Sequence, residues 1–266
     1  MKEYVHGYSE RERIRLEDQA NTLVSLLHYD TIWNEGETIF EAGCGVGAQT
    51  QIIAPQNPNC QFVSVDISVD SIISAKQAIE LANIKNVQFK VSNIFDLPFE
   101  AESFDHIFVC FVLEHLGEPV KALKELKRVL KKGGTITVIE GDHGSTYFHP
   151  DSIEAKNAIN CQVELQKLNG GNALIGRELY PLLDRSGFQD IKVSPRLVYV
   201  DGSKPQMIEG FTKNTFTAMI EGVKENALQA GLLSEDEFDK GIADLYRTAN
   251  KDGVFCYTFF KAIAYK

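Results

Sequence analysis

The chain has few cysteines, and none is spaced for a disulfide framework or a zinc site. The five cysteines among its 266 residues are odd in number and widely scattered, with no C-x-x-C pair: Cys44, Cys60, Cys110, Cys161 and Cys256. Both kinds of site need paired or closely spaced thiols. The sequence therefore predicts buried, unpaired thiols and no metal.

Positive charge is also in short supply. Lysine and arginine number 27 against 37 acidic residues, which gives a formal net charge of -10 and a sequence pI near 5.1. Nucleic acids and anionic membranes bind concentrated basic surfaces. We therefore expect neither as a partner.

Long apolar runs are missing as well. No run approaches the roughly 18 residues of a membrane-spanning helix, and residues 1–6 lack the apolar core of a signal peptide. A cytoplasmic location is the resulting expectation. The hydrophobic content of 44% is ordinary for a globular protein with a substantial core.

What the sequence does contain is a regular alternation of strand and helix signals. The strand-like runs are Thr38 to Phe40, Gln61 to Val65, Val87 to Val91, His106 to Val112, Thr135 to Ile139, Gln189 to Val193 and Val254 to Ala264. Helical patterns separate these strand-like runs. One of the helical patterns begins near Val46, and another ends at Gly133-Gly134. Such crossovers predict a doubly wound α/β fold: a mainly parallel seven-stranded sheet with helices on both faces and an antiparallel terminal strand.

We predict a single domain that carries two helical additions. Residues 1–35 form an N-terminal arm whose helix begins with the capping box Ser9 to Glu12, and residues 201–252 form a helical insertion with the capping box Ser234 to Glu237. If the last two strands pair as an antiparallel hairpin, the insertion emerges at the carboxyl edge of the sixth strand, beside a ligand crevice. It is then placed to act as a lid; the alternative is a packing layer remote from chemistry.

The segment Thr38 to Ala48 is the strongest functional signal. An apolar strand runs into Glu41 and then into three glycines within five positions, and such a loop lets the backbone turn sharply and approach a nucleoside cofactor. Gly43, Gly45 and Ala48 also satisfy the G-x-G-x-x-A pattern of dinucleotide-binding proteins. An NAD(P)-dependent or flavin enzyme therefore stays open beside an S-adenosylmethionine enzyme.

Further motifs follow in a fixed order. Asp66 closes the second strand, where a carboxylate can bind a ribose diol of either cofactor class. After it come Asn93 to Phe99, Ser103 to Asp105, Leu113 to Leu116 and Leu126 to Gly134. In this order the motifs resemble those of the class I S-adenosylmethionine-dependent methyltransferases, from about Tyr8 to Glu140 and more weakly beyond.

The resemblance implies a cofactor site with assigned roles. Glu41 would lie near the methionine amino group, Asp66 would hold the ribose hydroxyls, and Asn93 stands where the family usually has an aspartate for the adenine amino group. The remaining cofactor residues would be Gly43 and Gly45 as close backbone approaches, Cys44 as a small loop filler, Ile67 and Ile94 against adenine, Phe111 as an apolar wall, and Tyr8 either across the cofactor or as a hydrophobic staple.

The sequence indicates less clearly which residues would bind the molecule that accepts the methyl group. Candidates come from the loops after the fourth and fifth strands: Glu114, His115, Glu140, Asp142, His143, Tyr147 and His149. We predict His143 and Tyr147 as catalytic residues, because histidine can take a proton near neutral pH and tyrosine can shape or hydrogen-bond a ring of the methyl acceptor.

The expected reaction is in-line methyl transfer to a small molecule. Two alternatives stay open: an NAD(P)-dependent oxidoreductase and a non-catalytic S-adenosylmethionine-binding module. Tyr257 and Lys261 have the Tyr-x-x-x-Lys spacing of some dehydrogenases, but they fall in a strand-like run that does not bring the two side chains together.

Overall fold

A seven-stranded sheet organises the chain in the computed structural model, which describes residue 20 and residues 22–266. The strand order is β3-β2-β1-β4-β5-β7-β6. β1 pairs with β2 and β4, β2 with β3 and β4 with β5 in parallel, whereas β7 runs antiparallel to both neighbours. The strands are β1 Thr38–Ala42, β2 Gln61–Asp66, β3 Val87–Val91, β4 Phe104–Cys110, β5 Leu130–His149, β6 Gln189–Asp201 and β7 Val254–Tyr265. The predicted fold class is confirmed.

Helices cover both faces of this sheet. Because strand side chains alternate between faces, Ile39 joins one buried apolar cluster with α1, α5 and α10, while Phe40 joins a second with α4 and α6. The helices are α1 at residues 22–27, α2 Thr50–Gln56, α3 Val69–Leu81, α4 Pro119–Val129, α5 Ile153–Leu168, α6 Leu179–Arg185, α7 Pro205–Met207, α8 Ala218–Glu221, α9 Lys224–Gln229 and α10 Glu235–Arg247. A π-helix, Ile208–Thr217, joins α7 to α8, and two 3-10 helices lie at Leu113–His115 and Ile175–Glu178.

Two predicted helix boundaries are wrong. α2 begins at Thr50 rather than near Val46, because Gly45 and Gly47 have φ of +51° and +83°, outside the helical region. α4 ends at Val129, not at Gly133-Gly134, because Leu130 is already extended and pairs with Phe104.

Several strand ends also differ from the prediction. β5 spans Leu130–His149 instead of Thr135 to Ile139, so the candidates from Glu140 to His149 lie within the strand and not in a loop after it. β4 stops at Cys110 because Phe111 has a φ of +58°. β6 runs on past Val193 to Asp201, in register with β7 as far as the Asp201 and Val254 pair.

The segment between β6 and β7 leaves the sheet on the side of the cofactor loop. β6 is antiparallel to β7, which is antiparallel to β5, so β6 runs in the direction of the parallel strands. Its carboxyl end therefore lies at the edge where β1 and β4 also end. The capping box of Ser234 and Glu237 is confirmed at the start of α10; that of Ser9 and Glu12 lies outside the described residues.

All five thiols are buried and unpaired. None of the helices in residues 22–266 is long and apolar enough to cross a bilayer.

Candidate functional site

The three glycines after β1 have different surroundings. A Cβ atom on Gly43 would lie 2.5 Å from Val112 Cγ2, and one on Gly47 would lie 3.1 Å from the Cβ of Ala75. A Cβ on Gly45, whose φ is +51°, would meet no atom of the described residues within 4 Å. Close packing thus accounts for Gly43 and Gly47, whereas Gly45 presents its backbone to open space that a ligand can enter.

Asp66 fastens this loop to the end of β2. Its Oδ2 accepts the backbone N–H of Gly45 at 2.9 Å, and its Oδ1 accepts that of Ser68 at 2.9 Å. Ser68, not Asp66, caps α3, since its hydroxyl accepts from the N–H of Ser71. Each carboxylate oxygen keeps acceptor capacity for a further partner, and the neighbouring Ile67 is 47% exposed.

Glu41 is a buried carboxyl at the start of the loop. Its Oε2 accepts the hydroxyls of Thr50 at 2.7 Å and Ser64 at 2.5 Å. Burial raises the pKa of Glu41 to about 7 against the opposing effect of these two hydroxyls, and the charge of Asp66 raises it further. Within residues 22–266, Oε1 has no hydrogen-bond partner. A polar group of a ligand bound at the loop would supply a hydrogen-bond partner for Glu41 Oε1.

Cys44 is buried in the same loop, and burial raises the pKa of its thiol, with the charges of Glu41 and Asp66 adding to the effect. This fits a filler rather than a reactive group.

The residues expected at the adenine end lie around the turns after β3 and β4. Asn93 is exposed, and its Oδ1 accepts the N–H of Phe95 at 3.0 Å, so part of its acceptor capacity is used within its own turn. Ile94 is half-buried against the second apolar cluster. Phe111 is half-buried, with its ring centroid 5.4 Å from that of Phe259. Its positive φ is uncommon for a large side chain, and such conformations are concentrated at functional sites.

Glu140 holds the loop after β4. It is fully buried, and its Oε1 accepts the backbone N–H groups of Val112 at 3.0 Å and Leu113 at 2.7 Å. Burial, followed by the charge of Glu114, raises the pKa of Glu140 well above its usual range. Its Oε2 has no partner among the described residues.

Three other acceptor-side candidates are tied into local contacts. The amide of Gln166 donates to Glu114 Oε2 at 3.1 Å, and Glu114 Oε1 lies 3.6 Å from His115 Nε2. Arg177 binds both carboxylate oxygens of Asp142, at 2.7 and 2.8 Å. These contacts hold the side chains of Glu114, His115 and Asp142 in place.

His143 and Tyr147 lie in different surroundings. His143 is buried, with its Nδ1 2.7 Å from the phenol oxygen of Tyr257 and its ring centroid 6.1 Å from that of Phe216. Tyr147 is 58% exposed, in register with Cys256, and His149 is also exposed. The tyrosine that contacts His143 is therefore Tyr257.

Sequence reasoning missed Tyr257 because β5 and β7 meet only in the folded sheet, 114 positions apart in the chain at this contact. Lys261, its partner in the Tyr-x-x-x-Lys spacing, instead donates to Asp30 Oδ1 at 2.6 Å and Thr31 Oγ1 at 2.7 Å. Tyr8 lies outside the described residues. No group of three or more His, Cys, Asp or Glu side chains in the described part of the chain could hold a metal ion.

Together, a glycine loop between two carboxylates and an antiparallel β7 inserted between β5 and β6 define a class of protein: a Rossmann-like α/β fold of the methyltransferase type. A family model described as a methyltransferase domain matches residues 34–187, more than half of the chain. The chain belongs to this family of methyltransferase domains.

Individual relatives agree with this assignment. An uncharacterized methyltransferase of Schizosaccharomyces pombe is 32% identical over 149 residues, 54% of this chain and 53% of that protein. A demethylmenaquinone methyltransferase of Lactococcus lactis is 28% identical over 148 residues, 52% and 58% of the two chains. The chain thus spans little more than half the length of these curated relatives.

A solved structure shares the fold. Phosphoethanolamine N-methyltransferase 2 of Haemonchus contortus, in complex with phosphomonomethylethanolamine and S-adenosylhomocysteine, aligns with a TM-score of 0.60 at 18% identity, over 97% of this chain and 58% of that chain.

Proposed function

We propose that the chain is an S-adenosylmethionine-dependent methyltransferase that transfers a methyl group to a small molecule by in-line displacement. The proposal rests first on one observation: the backbone of Gly45 faces open space and its N–H donates to Asp66, in the loop that follows the strand carrying Glu41. The family membership of residues 34–187 supports it.

The residues present fit this cofactor. Glu41 would bind the methionine ammonium through Oε1, which lacks a partner within residues 22–266. Asp66 would accept the ribose hydroxyls with the acceptor capacity that Gly45 and Ser68 leave. The exposed Ile67, with Ile94 and Asn93, would surround adenine, and Gly43, Cys44, Phe111 and Tyr8 complete the proposed set. When bound, S-adenosylmethionine supplies an electrophilic methyl group on a sulfonium.

The chain itself would contribute mainly alignment and enclosure. Correct positioning of two reactants can supply about 7 to 11 kcal/mol, more than the factor of about 10² to 10⁴ from one general base. We place the acceptor beyond the carboxyl end of β4, next to the second half of β5, with His143 as its main contact and Tyr147 as a second candidate.

Two observations favour a small-molecule acceptor. The Lactococcus lactis relative is named for a small-molecule acceptor, and the net charge of -10 disfavours nucleic acid.

We further propose that residues 201–252 form a lid and residues 1–35 an arm of a single domain. Phe211 and Phe216 of the π-helix pack their rings 5.9 and 5.4 Å from that of Tyr257, next to His143. These ring contacts support a position of the insertion over the proposed acceptor side.

The test is ligand binding followed by turnover. S-adenosylhomocysteine should raise the melting temperature and NADH should not, because only a ligand of the folded state stabilises it. Asp66→Asn should weaken S-adenosylhomocysteine binding by about tenfold, roughly the 1.4 kcal/mol of one hydrogen bond to a charged group.

Asp70→Asn is the matched control, because Asp70 is exposed on α3, four residues beyond Asp66. A melting temperature raised by NADH alone would contradict the proposal. So would a protein that binds S-adenosylhomocysteine but releases none from S-adenosylmethionine with any acceptor in a broad screen.

A further inference from the structure

The turn after β4 lies between the cofactor loop and the proposed acceptor side. Its Val112 borders Gly43, where a Cβ atom would lie 2.5 Å from Val112 Cγ2. Two residues further on, Glu114 approaches Tyr257: burial, followed by the charge of Glu114, raises the pKa of this phenol well above its usual value. The phenol oxygen lies 2.7 Å from Nδ1 of His143. Glu114 is therefore placed between the proposed methyl donor and the main proposed contact of the acceptor.

Two buried glutamines hold Glu114 from the side of α5. Gln166 is 1% exposed, and its Nε2 donates to the backbone carbonyl of Glu114 at 3.0 Å and to Oε2 of the same residue at 3.1 Å. The Oε1 of Gln166 accepts the side-chain amide of the fully buried Gln162 at 3.0 Å. Linked hydrogen bonds at this depth keep one geometry, because an unpaired buried polar group is costly. The Glu114 carboxylate is thus fixed through one of its two oxygens.

The second oxygen, Oε1, remains available to a ligand. It lies 3.6 Å from Nε2 of His115, too far for a hydrogen bond, and it accepts no hydrogen bond from residues 22–266. The Glu114 side chain is 13% exposed, so a molecule in the crevice can contact it. In the described part of the chain, no lysine or arginine lies within 4 Å of this carboxylate. The nearby Arg177 is bound to both carboxylate oxygens of Asp142 instead.

Glu140, beneath the turn, leaves the negative charge of this carboxyl pair on Glu114. The Glu140 carboxyl is fully buried, and its Oε1 accepts the backbone N–H groups of Val112 and Leu113. Burial, followed by the charge of Glu114, raises the pKa of Glu140 well above its usual range, so Glu140 keeps its proton. The two carboxyls together therefore present one negative charge to the crevice, and it lies on Glu114.

We propose that Glu114 selects an amine as the methyl acceptor, with Oε1 accepting an N–H of the nitrogen that is methylated and Gln166 as the residue that positions it. This inference rests on the proposed methyl transfer. The nitrogen lone pair forms the new bond to the methyl carbon, the electron pair of the carbon–sulfur bond stays on sulfur, and the positive charge moves from sulfur to nitrogen. The methylated nitrogen then gives a proton to Glu114, which passes it to water. A fixed carboxylate beside the nitrogen stabilises the charge that develops there.

The same negative charge disfavours an oxygen acceptor. A hydroxyl group becomes a strong nucleophile when it loses its proton, and a neighbouring carboxylate raises the pKa of the hydroxyl because two negative charges repel. The uncharged amide of Glu114→Gln removes this repulsion. Glu114 should therefore determine which chemical class of acceptor is used, and not only how tightly the acceptor binds.

Acceptor binding tests the proposal without turnover. The full chain, saturated with S-adenosylhomocysteine, is titrated by calorimetry with butylamine, benzylamine and 2-phenylethylamine, each compared with the alcohol of the same skeleton. In the wild type we expect at least one amine to bind ten times more tightly than its alcohol, and in Glu114→Gln we expect a preference below twofold. Glu118→Gln is the matched control, because Glu118 is exposed four residues further on and pairs with Lys121; it should keep the wild-type preference.

Two results of this titration would overturn the inference. One is a wild type in which no amine binds more tightly than its alcohol, and the other is an amine preference that Glu114→Gln retains. Absence of S-adenosylhomocysteine binding in the wild type would refute the proposed function instead.

The role of Gln166 is tested by the same ratio of amine to alcohol affinity. Gln166→Leu removes the donor that holds Glu114 Oε2, so the ratio should fall about tenfold while the affinity for S-adenosylhomocysteine stays within twofold of wild type. A merely structural role would not change this ratio. An unchanged ratio would refute the positioning role, and the Glu114→Gln titration decides the amine selectivity even if Gln166→Leu fails to fold. With the amine that binds best, Glu114→Gln should lower kcat by about 10² to 10³, as when one oriented charge-stabilising group is removed.

Discussion

Lys261 on β7 and Asp30 after α1 lie 231 positions apart in the chain, yet the lysine ammonium donates to the aspartate carboxylate at 2.6 Å. Arg196 on β6 donates to the other carboxylate oxygen at 2.5 Å. Lys261 also donates to the carbonyl of Leu27 at the end of α1, where a cation is favoured. One aspartate therefore serves two buried cations and holds the start of the described chain on the last two strands.

We expect Asp30→Asn to be the costly change in this cluster. It leaves Lys261 and Arg196 buried without an anion, and breaking a buried pair in this way costs about 3 kcal/mol or more. Lys261→Met should cost less than about 1.5 kcal/mol, because Asp30 keeps Arg196 and an apolar side chain replaces the buried ammonium. Urea unfolding of both variants measures the difference. Equal losses would show that the charge balance is not what stabilises this contact.

Glu41 should make stability fall as the pH rises. Its folded pKa is about 7 against 4.5 in the unfolded chain, so between these values the folded state binds more protons. The contribution of Glu41 to the free energy of unfolding is therefore largest below pH 4.5. It decreases by about 3 kcal/mol as the pH rises to 7, because each pKa unit corresponds to about 1.36 kcal/mol. Glu41→Gln should remove this slope from the free energy of unfolding measured between pH 4 and pH 8. An unchanged slope would assign it to another group.

The affinity for S-adenosylhomocysteine should also depend on the ionisation of Glu41, but it should increase with pH, whereas stability decreases. A bound ammonium favours the ionised form of Glu41, so binding of S-adenosylhomocysteine should strengthen as the pH rises from 5 to 7, approaching tenfold for each pH unit. Isothermal calorimetry at several pH values measures this, with proton release in the lower range. Glu41→Gln should bind weakly at every pH, and a pH dependence retained in that variant would exclude Glu41 as its source.

Alanine substitutions at the loop glycines should affect cofactor affinity and protein stability to different degrees. Gly45→Ala adds a methyl group to open space and costs only the strain of a positive φ, about 1 to 2 kcal/mol. Gly47→Ala adds the same strain and also crowds Ala75 at 3.1 Å, so it should destabilise more. For each variant, the loss of binding free energy for S-adenosylhomocysteine can be divided by the loss of unfolding free energy. This ratio should be larger for Gly45→Ala than for Gly47→Ala. Thermal unfolding and calorimetry on both variants test the ranking.

Local signals in the sequence predict the order of strands and helices in the cofactor half of the fold, but not all of their ends. β3 was predicted at Val87 to Val91 as observed, and the capping box of α10 was read from Ser234 and Glu237, because alternation and capping are properties of short segments. The boundaries that failed depend on conformations that residue type does not reveal. Phe111 adopts a positive φ, and Leu130 leaves its helix to pair with a neighbouring strand.

The sequence by itself determined the methyltransferase class. Glu41, the loop glycines and Asp66 stand at the ends of neighbouring strands, and their order can be recognised along the chain. Only the tertiary structure decided which groups meet. The antiparallel placement of β7 brings Tyr257 to His143 and Lys261 to Asp30. Such pairs are set by strand order and register across more than 100 residues, which local periodicity does not encode.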